Sequence, residues 1–177
     1  GNHYDEDLLQ KLDDILPKAD ASSSVHYRYR KLFIVLHTYG SHFNYQERYP
    51  RSFAYFKPDS RSEAKSENRR DLLNAYDNTI RYTDYILHGI VERLQKWEKT
   101  QAKTDGVYSQ PTSAMLYTSD HGENIFDDDR RLFLHAAPKA SDYELHVPFI
   151  IWTSDGYGKQ YPGILKTLSG HRTQQVQ

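Results

Sequence analysis

Leu8, Leu9, Leu12, Ile15 and Leu16 recur at helical spacing, with acidic residues in the first turn and Pro17 just past the end. That pattern predicts a helix over Asp5 to Leu16. Ala19 to Ser24 is small and polar and reads as a loop. Leu32 to Leu36 is an unbroken apolar run, which predicts a strand buried on both faces that ends at His37-Thr38-Tyr39-Gly40-Ser41-His42. Arg48 to Asn68, rich in Pro, Ser and charge, reads as an irregular surface excursion. From about Arg69 to Lys99, Leu73, Tyr76, Ile80, Thr83, Leu87, Ile90 and Leu94 step by three and four, with Leu72, Ile86 and Val91 widening the stripe. This is the longest expected helix. A polar loop, Thr100 to Pro111, leads to a second strand-like run at Ala114 to Tyr117. A third, Val147 to Trp152, carries Pro148 where a strand begins. The polar tail after Gly170 is expected to fray. Strands at about 32–37, 113–118 and 148–152, separated by a long helix, predict an α/β fold with a βαβ arrangement and a mostly parallel sheet.

With 177 residues the chain can bury one real core, and a single domain over 1–177 is expected. The net charge of −1 gives no basic excess, so nucleic acid is not an expected partner. A mean hydropathy of −0.85 and the lack of a long apolar run exclude a membrane-spanning helix in this segment, which is expected to be soluble. The absence of cysteine excludes disulfides, thiolate zinc sites and a Cys nucleophile. The chain opens Gly1-Asn2-His3 rather than with Met and reads as a piece of a longer protein.

The chemistry concentrates in Ser119-Asp120-His121-Gly122-Glu123, directly after the second strand. Ligands in open α/β sheets bind beyond the carboxyl ends of strands. An adjacent carboxylate and imidazole suit a zinc-type ion, and Gly122 allows a sharp turn behind them. The same dipeptide reads alternatively as a helix N-cap with an incidental histidine. His135 lies fourteen residues after His121, past an acidic loop at Asp127, Asp128 and Asp129, and a loop of that length can bring its imidazole to the same centre. His37 and His42 bracket Gly40-Ser41 after the first strand, and the glycine could let His42 face Asp120. Glu123 is either a ligand, direct or supporting, or a helix-start carboxylate. Asp77, Asn78 and Asp84 on the long helix are read as structural, pairing with Arg81 or with backbone groups. Together the histidines and carboxylates describe an N/O metal centre suited to phosphoryl or sulfuryl chemistry.

Several motifs in one order resemble a known family. Leu36-His37-Thr38-Tyr39-Gly40-Ser41-His42 with Arg48-Tyr49-Pro50 resembles the histidine motif of the membrane phosphoethanolamine transferases. The run from Asn74 through Tyr76-Asp77-Asn78-Thr79-Ile80 to Asp84-Tyr85 resembles their long-helix signature. Ser119 to Glu123, Leu134-His135, Val147-Pro148 and Trp152-x-Ser154 follow in the same order, and Tyr4 to Leu9 resembles the segment before the histidine strand. These enzymes belong to the alkaline phosphatase/sulfatase superfamily. The resemblance implies a three-layer alkaline-phosphatase-like sandwich with a mostly parallel sheet, here incomplete. It implies a zinc-activated threonine that takes phosphoethanolamine from phosphatidylethanolamine and passes it to an envelope lipid such as lipid A or to a glycan. By motif position Asp120 and His121 are expected to be zinc ligands. His42 and His135 are expected to bind the phosphate group or a second metal, with Glu123 in that second site and His37 in support. The cofactor implied is one zinc or two, or another divalent metal. The implied location is the bacterial inner membrane, with this domain periplasmic.

The departures matter as much. The family's nucleophilic Thr and a Glu ligand lie in segments before the motif matched at Tyr4-Asp5, so no catalytic nucleophile is expected here. Thr38 and Thr118 do not align with that role. The chain is then expected to be the C-terminal part of a catalytic domain whose partner is the upstream part of the same polypeptide. It is expected to be inactive in isolation and to bind zinc weakly or not at all. Asn124-Ile125-Phe126 departs from the more usual Ser-Leu-Gly, which bears on the loop carrying His135. The alternatives are a sulfatase, a glycerol-phosphate transferase of the same superfamily, or a metal-binding module without catalysis.

Overall fold

The computed structural model describes residues 3–16, 31–104, 111–135 and 138–171. The expected Ala19 to Ser24 loop, the centre of the Thr100 to Pro111 loop and the tail from 172 onward lie outside the described residues. Helix α1 spans Asp7–Ile15 and the long helix α2 spans Arg69–Thr104, running into what reads in the sequence as a loop. Strands β1 (Ala114–Thr118), β2 (Asn124–Ile125) and β3 (Phe133–Leu134) precede a one-turn helix α3 (Asp142–Leu145). Strand β4 (Phe149–Thr153) and helices α4 (Asp155–Gln160) and α5 (Pro162–Gly170) complete the described chain.

β1 pairs with β4 in one antiparallel ladder, and β2 pairs with β3 in another. The expected parallel pairing therefore does not appear among the described residues. The connection explains this. Parallel neighbours are normally joined by a crossover helix packed on the sheet, and between β1 and β4 the described residues form instead the β2–β3 hairpin and the single turn of α3. The expected strand at 32–37 is a second correction, because residues 31–39 form no ladder. Ile34 and Leu36 pack on the core, but Phe33 is 92% and Val35 74% exposed. Only one face of this run is covered, whereas unbroken hydrophobicity predicted burial on both.

The main core lies between α1 and α2. Leu9, Leu12 and Leu16 cluster with Tyr49, Tyr82, Ile86 and Ile90, with Met115 at the margin. Burying each such side chain contributes roughly 1.5–3 kcal/mol. The helices approach closely at Gly89, where a Cβ would lie 2.8 Å from Leu9 Cδ1. The buried stripe of α2 is Leu72, Ala75, Thr79, Tyr82, Ile86 and Ile90. It is offset by one position from most of the expected seam, and Ile80 is about half exposed. A reading based on large apolar residues gives no weight to Ala75, Asn78 and Thr79, which the structure buries.

Those polar positions hold the 41–61 excursion onto α2. Asn78 Oδ1 accepts from the Tyr55 and Phe56 N–H groups, both at 2.9 Å. Its amide nitrogen donates to Phe56 O at 3.0 Å and to Tyr49 Oη at 3.3 Å. Asp71 Oδ2 accepts from the N–H groups of Ser60 and Arg61, and Thr79 Oγ1 donates to Ser41 Oγ. Arg81 does not pair with Asp77 or Asp84 as expected. It donates to Phe53 O and lies over the Phe53 and Tyr55 rings. Asn78→Ala removes the fully buried side chain that two N–H groups and a carbonyl of the excursion bond to. The expected loss is roughly 3 kcal/mol. Urea unfolding measures it, and a loss below about 1 kcal/mol would mean the excursion is not tied to α2 through this amide.

Candidate metal centre

Strand β1 delivers the chain to Ser119, and a set of local bonds then folds the turn. Ser119 Oγ donates to His121 O at 2.7 Å, and the His121 N–H donates to Asp120 Oδ1 at 3.0 Å. Gly122 N–H donates to Glu144 O at 2.8 Å, which clamps the turn onto α3. α3 is built for that contact. Ser141 and Glu144 form a reciprocal capping box, and Ser141 Oγ also donates to Asn124 Oδ1 at 2.6 Å.

The β2–β3 hairpin brings the second imidazole in. Its register pairs Asn124 with Leu134 and Ile125 with Phe133. The next pair outward is Glu123 with His135, and His135 Nδ1 lies 3.0 Å from Glu123 Oε1. Asn124 Nδ2 reinforces the ladder by donating to Leu134 O. At the far end Phe126 N–H donates to Leu132 O, with Phe126 and Arg131 at positive φ. Arg69, the first residue of α2, donates to the carbonyls of Ile125 and Phe126 and pairs with Asp127 at 3.1 Å. The departure at Asn124-Ile125-Phe126 thus forms β2 and the start of its turn.

The result is a compact group. Ligand atoms of His121, Glu123 and His135 all lie within 4.8 Å of one another, and the two imidazole rings are 3.8 Å apart between centroids. Glu123 is buried, His121 is 33% exposed at its side chain, and His135 is 38% exposed. Tyr45 Oη donates to the other Glu123 oxygen at 3.1 Å. Burial, and then the adjacent carboxylate, push the Tyr45 phenol far above its ordinary value, so it stays a donor. Asp120 sits at the edge with its side chain 86% exposed, 3.8 Å from His121 Nε2. Slight burial pushes its carboxyl up. The His121 imidazole, nearby N–H groups and the Ser119 hydroxyl outweigh that and hold it below the usual carboxylate value. A cleft of about 340 Å³ opens over Asp120, His121 and His135, walled by Leu145 and Val147.

His42 and His37 lie outside this group. His42 is exposed and its ring Nδ1 contacts Phe43 O, and His37 is also exposed. Their loop is nevertheless well held. Asp5 accepts from the N–H groups of Tyr39 and Gly40, both at 2.9 Å, and Gly40 takes a positive φ of 55°. Two contributors were not found from the sequence. Tyr45 was hidden among fifteen tyrosines. Ser141 was readable as the start of a Ser-x-x-Glu capping box.

The donor set fits a divalent cation. Imidazoles and carboxylates are zinc ligands, and a tetrahedral ion with bonds of about 2.0–2.2 Å sets its ligand atoms roughly 3.4 Å apart, close to the 3.8 Å between Asp120 Oδ2 and His121 Nε2.

A family described as Sulfatase matches residues 1–175. The chain belongs to the sulfatase family. It is 33% identical over 129 residues to the Kdo(2)-lipid A phosphoethanolamine 7''-transferase of Escherichia coli strain K12, a match covering 72% of this chain and 20% of that protein. It superposes on the C-terminal periplasmic domain of phosphoethanolamine transferase EptC from Campylobacter jejuni with a TM-score of 0.70 and 30% identity, covering 95% of this chain and 47% of that one. It shares the fold, with a TM-score of 0.64 at 22% identity, of the periplasmic domain of EcEptC from Escherichia coli solved in complex with Zn, covering 92% of this chain and 40% of that one. The chain thus spans about a fifth of that curated sulfatase-family relative and about half of a solved domain. No helix among the described residues is long and apolar enough to cross a membrane.

Proposed function

We propose that this chain is the C-terminal part of a zinc-dependent catalytic domain that moves phosphoethanolamine from phosphatidylethanolamine to a lipid or glycan of the bacterial envelope, on the periplasmic side of the inner membrane. The observation that carries the reading is the convergence of His121, Glu123 and His135 at the end of β1, in a chain similar to enzymes of that activity. Asp120 and His121 hold one zinc, with its remaining ligands from the rest of the domain. Glu123 and His135 form the neighbouring position, for a second ion or for the substrate phosphate, with His42 directed there when the domain is whole. The exposed apolar face at Phe33 and Val35 is consistent with strands supplied by that remainder, completing a mostly parallel three-layer sheet. A bound zinc polarises a phosphoryl oxygen and lowers the pKa of a coordinated hydroxyl. The chain's own residues do the rest: Glu123 holds His135 in place, and the cleft orients the phosphate beside both imidazoles. A threonine nucleophile comes from the portion of the domain that this chain does not align with.

Two measurements test the reading. The complete reading frame that carries this sequence is expected to release diacylglycerol from phosphatidylethanolamine. The isolated 177-residue chain is expected to show no turnover and to bind zinc more weakly than about 1 μM by calorimetry near neutral pH. Sulfate-ester hydrolysis without lipid turnover by the complete frame would place the chain in a different branch of the family. Submicromolar zinc affinity of the isolated chain, or turnover by it that vanishes in His121→Ala, would mean that a complete site lies here and would overturn the fragment reading.

A further inference from the structure

We propose that Tyr45 is a positioning residue whose hydroxyl fixes the Glu123 carboxylate, so that Glu123 in turn fixes the ring of His135 beside His121. Tyr45 is fully buried, in a 3-10 turn at Tyr45–Glu47 far in sequence from the centre it touches. Its ring is held edge-on by Phe43 at 5.4 Å and by Tyr76 at 5.2 Å, so the hydroxyl has little freedom. Phe43 also packs edge-on against Phe133 at 5.3 Å, which couples this turn to the hairpin that carries His135. The contacts form one line. Tyr45 Oη donates to Glu123 Oε2, Glu123 Oε1 faces His135 Nδ1, and the His135 ring lies against the His121 ring.

The chemistry gives the line a direction. A carboxylate only accepts hydrogen bonds, so the His135 nitrogen facing it carries the proton in the neutral ring, and Nε2 is left free as a lone-pair donor or phosphate contact. Without the Tyr45 hydroxyl, Glu123 has one fixed oxygen rather than two and can rotate away. Carboxylates that orient histidines in metal sites act in this way, and their loss costs about 10–100-fold in affinity or activity. The consequence for catalysis rests on the functional reading above, but the orientation of His135 does not.

Tyr45→Phe keeps the ring and its aromatic contacts, so the fold is expected to survive, checked by circular dichroism. The test is nitrogen NMR of the His135 ring at pH about 8, where an ordinary imidazole is neutral. The wild-type chain is expected to show the Nδ1–H tautomer, and Tyr45→Phe a shift toward a mixture with Nε2–H. In a Glu123→Gln background the same substitution is expected to add no further shift. In the complete reading frame, Tyr45→Phe is expected to lower kcat about 10-fold or more while leaving KM nearly unchanged. An unchanged His135 tautomer in Tyr45→Phe, or an equal shift in the Glu123→Gln background, would overturn the proposal. Absence of lipid turnover in the wild-type frame would count against the functional reading alone, because the tautomer comparison needs no activity.

Discussion

His121→Ala, introduced into the complete reading frame, is expected to reduce phosphoethanolamine transfer by about 10²–10³-fold, equivalent to roughly 3–4 kcal/mol of transition-state stabilisation. His121 is the residue shared by every arrangement the site supports. It lies 3.8 Å from Asp120, 4.0 Å from Glu123, and ring to ring with His135. Removing it takes a nitrogen ligand from the zinc position and also the wall against which His135 rests. The loss is therefore expected in kcat more than in KM, as for an interaction that matters most in the transition state. His88→Ala is a suitable control, because His88 is an exposed residue of α2 that pairs at the surface with Glu92. Diacylglycerol release measures both variants. Equal activity in His121→Ala and wild type would remove His121 from the chemistry and the proposed centre with it.

The part of this site that was legible in the sequence is the part written locally. An apolar run, then Asp120-His121-Gly122-Glu123, marks a strand end, and β1 and β4 both occur where the apolar runs stand. The long helix was legible for the same reason, since its period repeats over many turns. What was not legible depends on partners distant in the chain. Leu32 to Leu36 is hydrophobic enough for a buried strand, but a strand exists only with a ladder partner, and none faces it among the described residues. The pairing of Glu123 with His135 depends on the register of a hairpin with two residues per strand, too short for an alternating pattern to reveal. Tyr45 is a semi-polar residue whose value lies wholly in what it touches. Helix α3 carried a readable signal, its Ser-x-x-Glu start, but at four residues it has no periodicity to support it.

Gly122→Ala is expected to damage the chain more than any other single methyl added at a glycine of the described fold. A Cβ at this position would lie 2.0 Å from Tyr143 O, 3.1 Å from Tyr143 C and 3.4 Å from Glu144 Cα. All three atoms are backbone, so no side-chain rotation relieves the overlap. The contact is close for a reason: Gly122 N–H donates to Glu144 O at 2.8 Å, and that bond joins the turn after β1 to α3. Either the turn lifts off α3 and loses the bond, or α3 shifts and disturbs Ser141, which is bonded to Asn124 in β2. Both routes move Glu123 and His121, the two neighbours of Gly122. Overpacking at a well-fitted position costs typically 1–3 kcal/mol, and the lost buried hydrogen bond adds about 1–3 kcal/mol. A total of roughly 3–5 kcal/mol corresponds to a fall in Tm of about 10 °C for a chain of this size. Thermal unfolding of the isolated chain measures the stability, and cross-relaxation between the His121 and His135 rings reports whether they remain in contact. Retention of both Tm and the ring contact would mean that the turn does not pack on α3 and that Gly122 serves only the local bend.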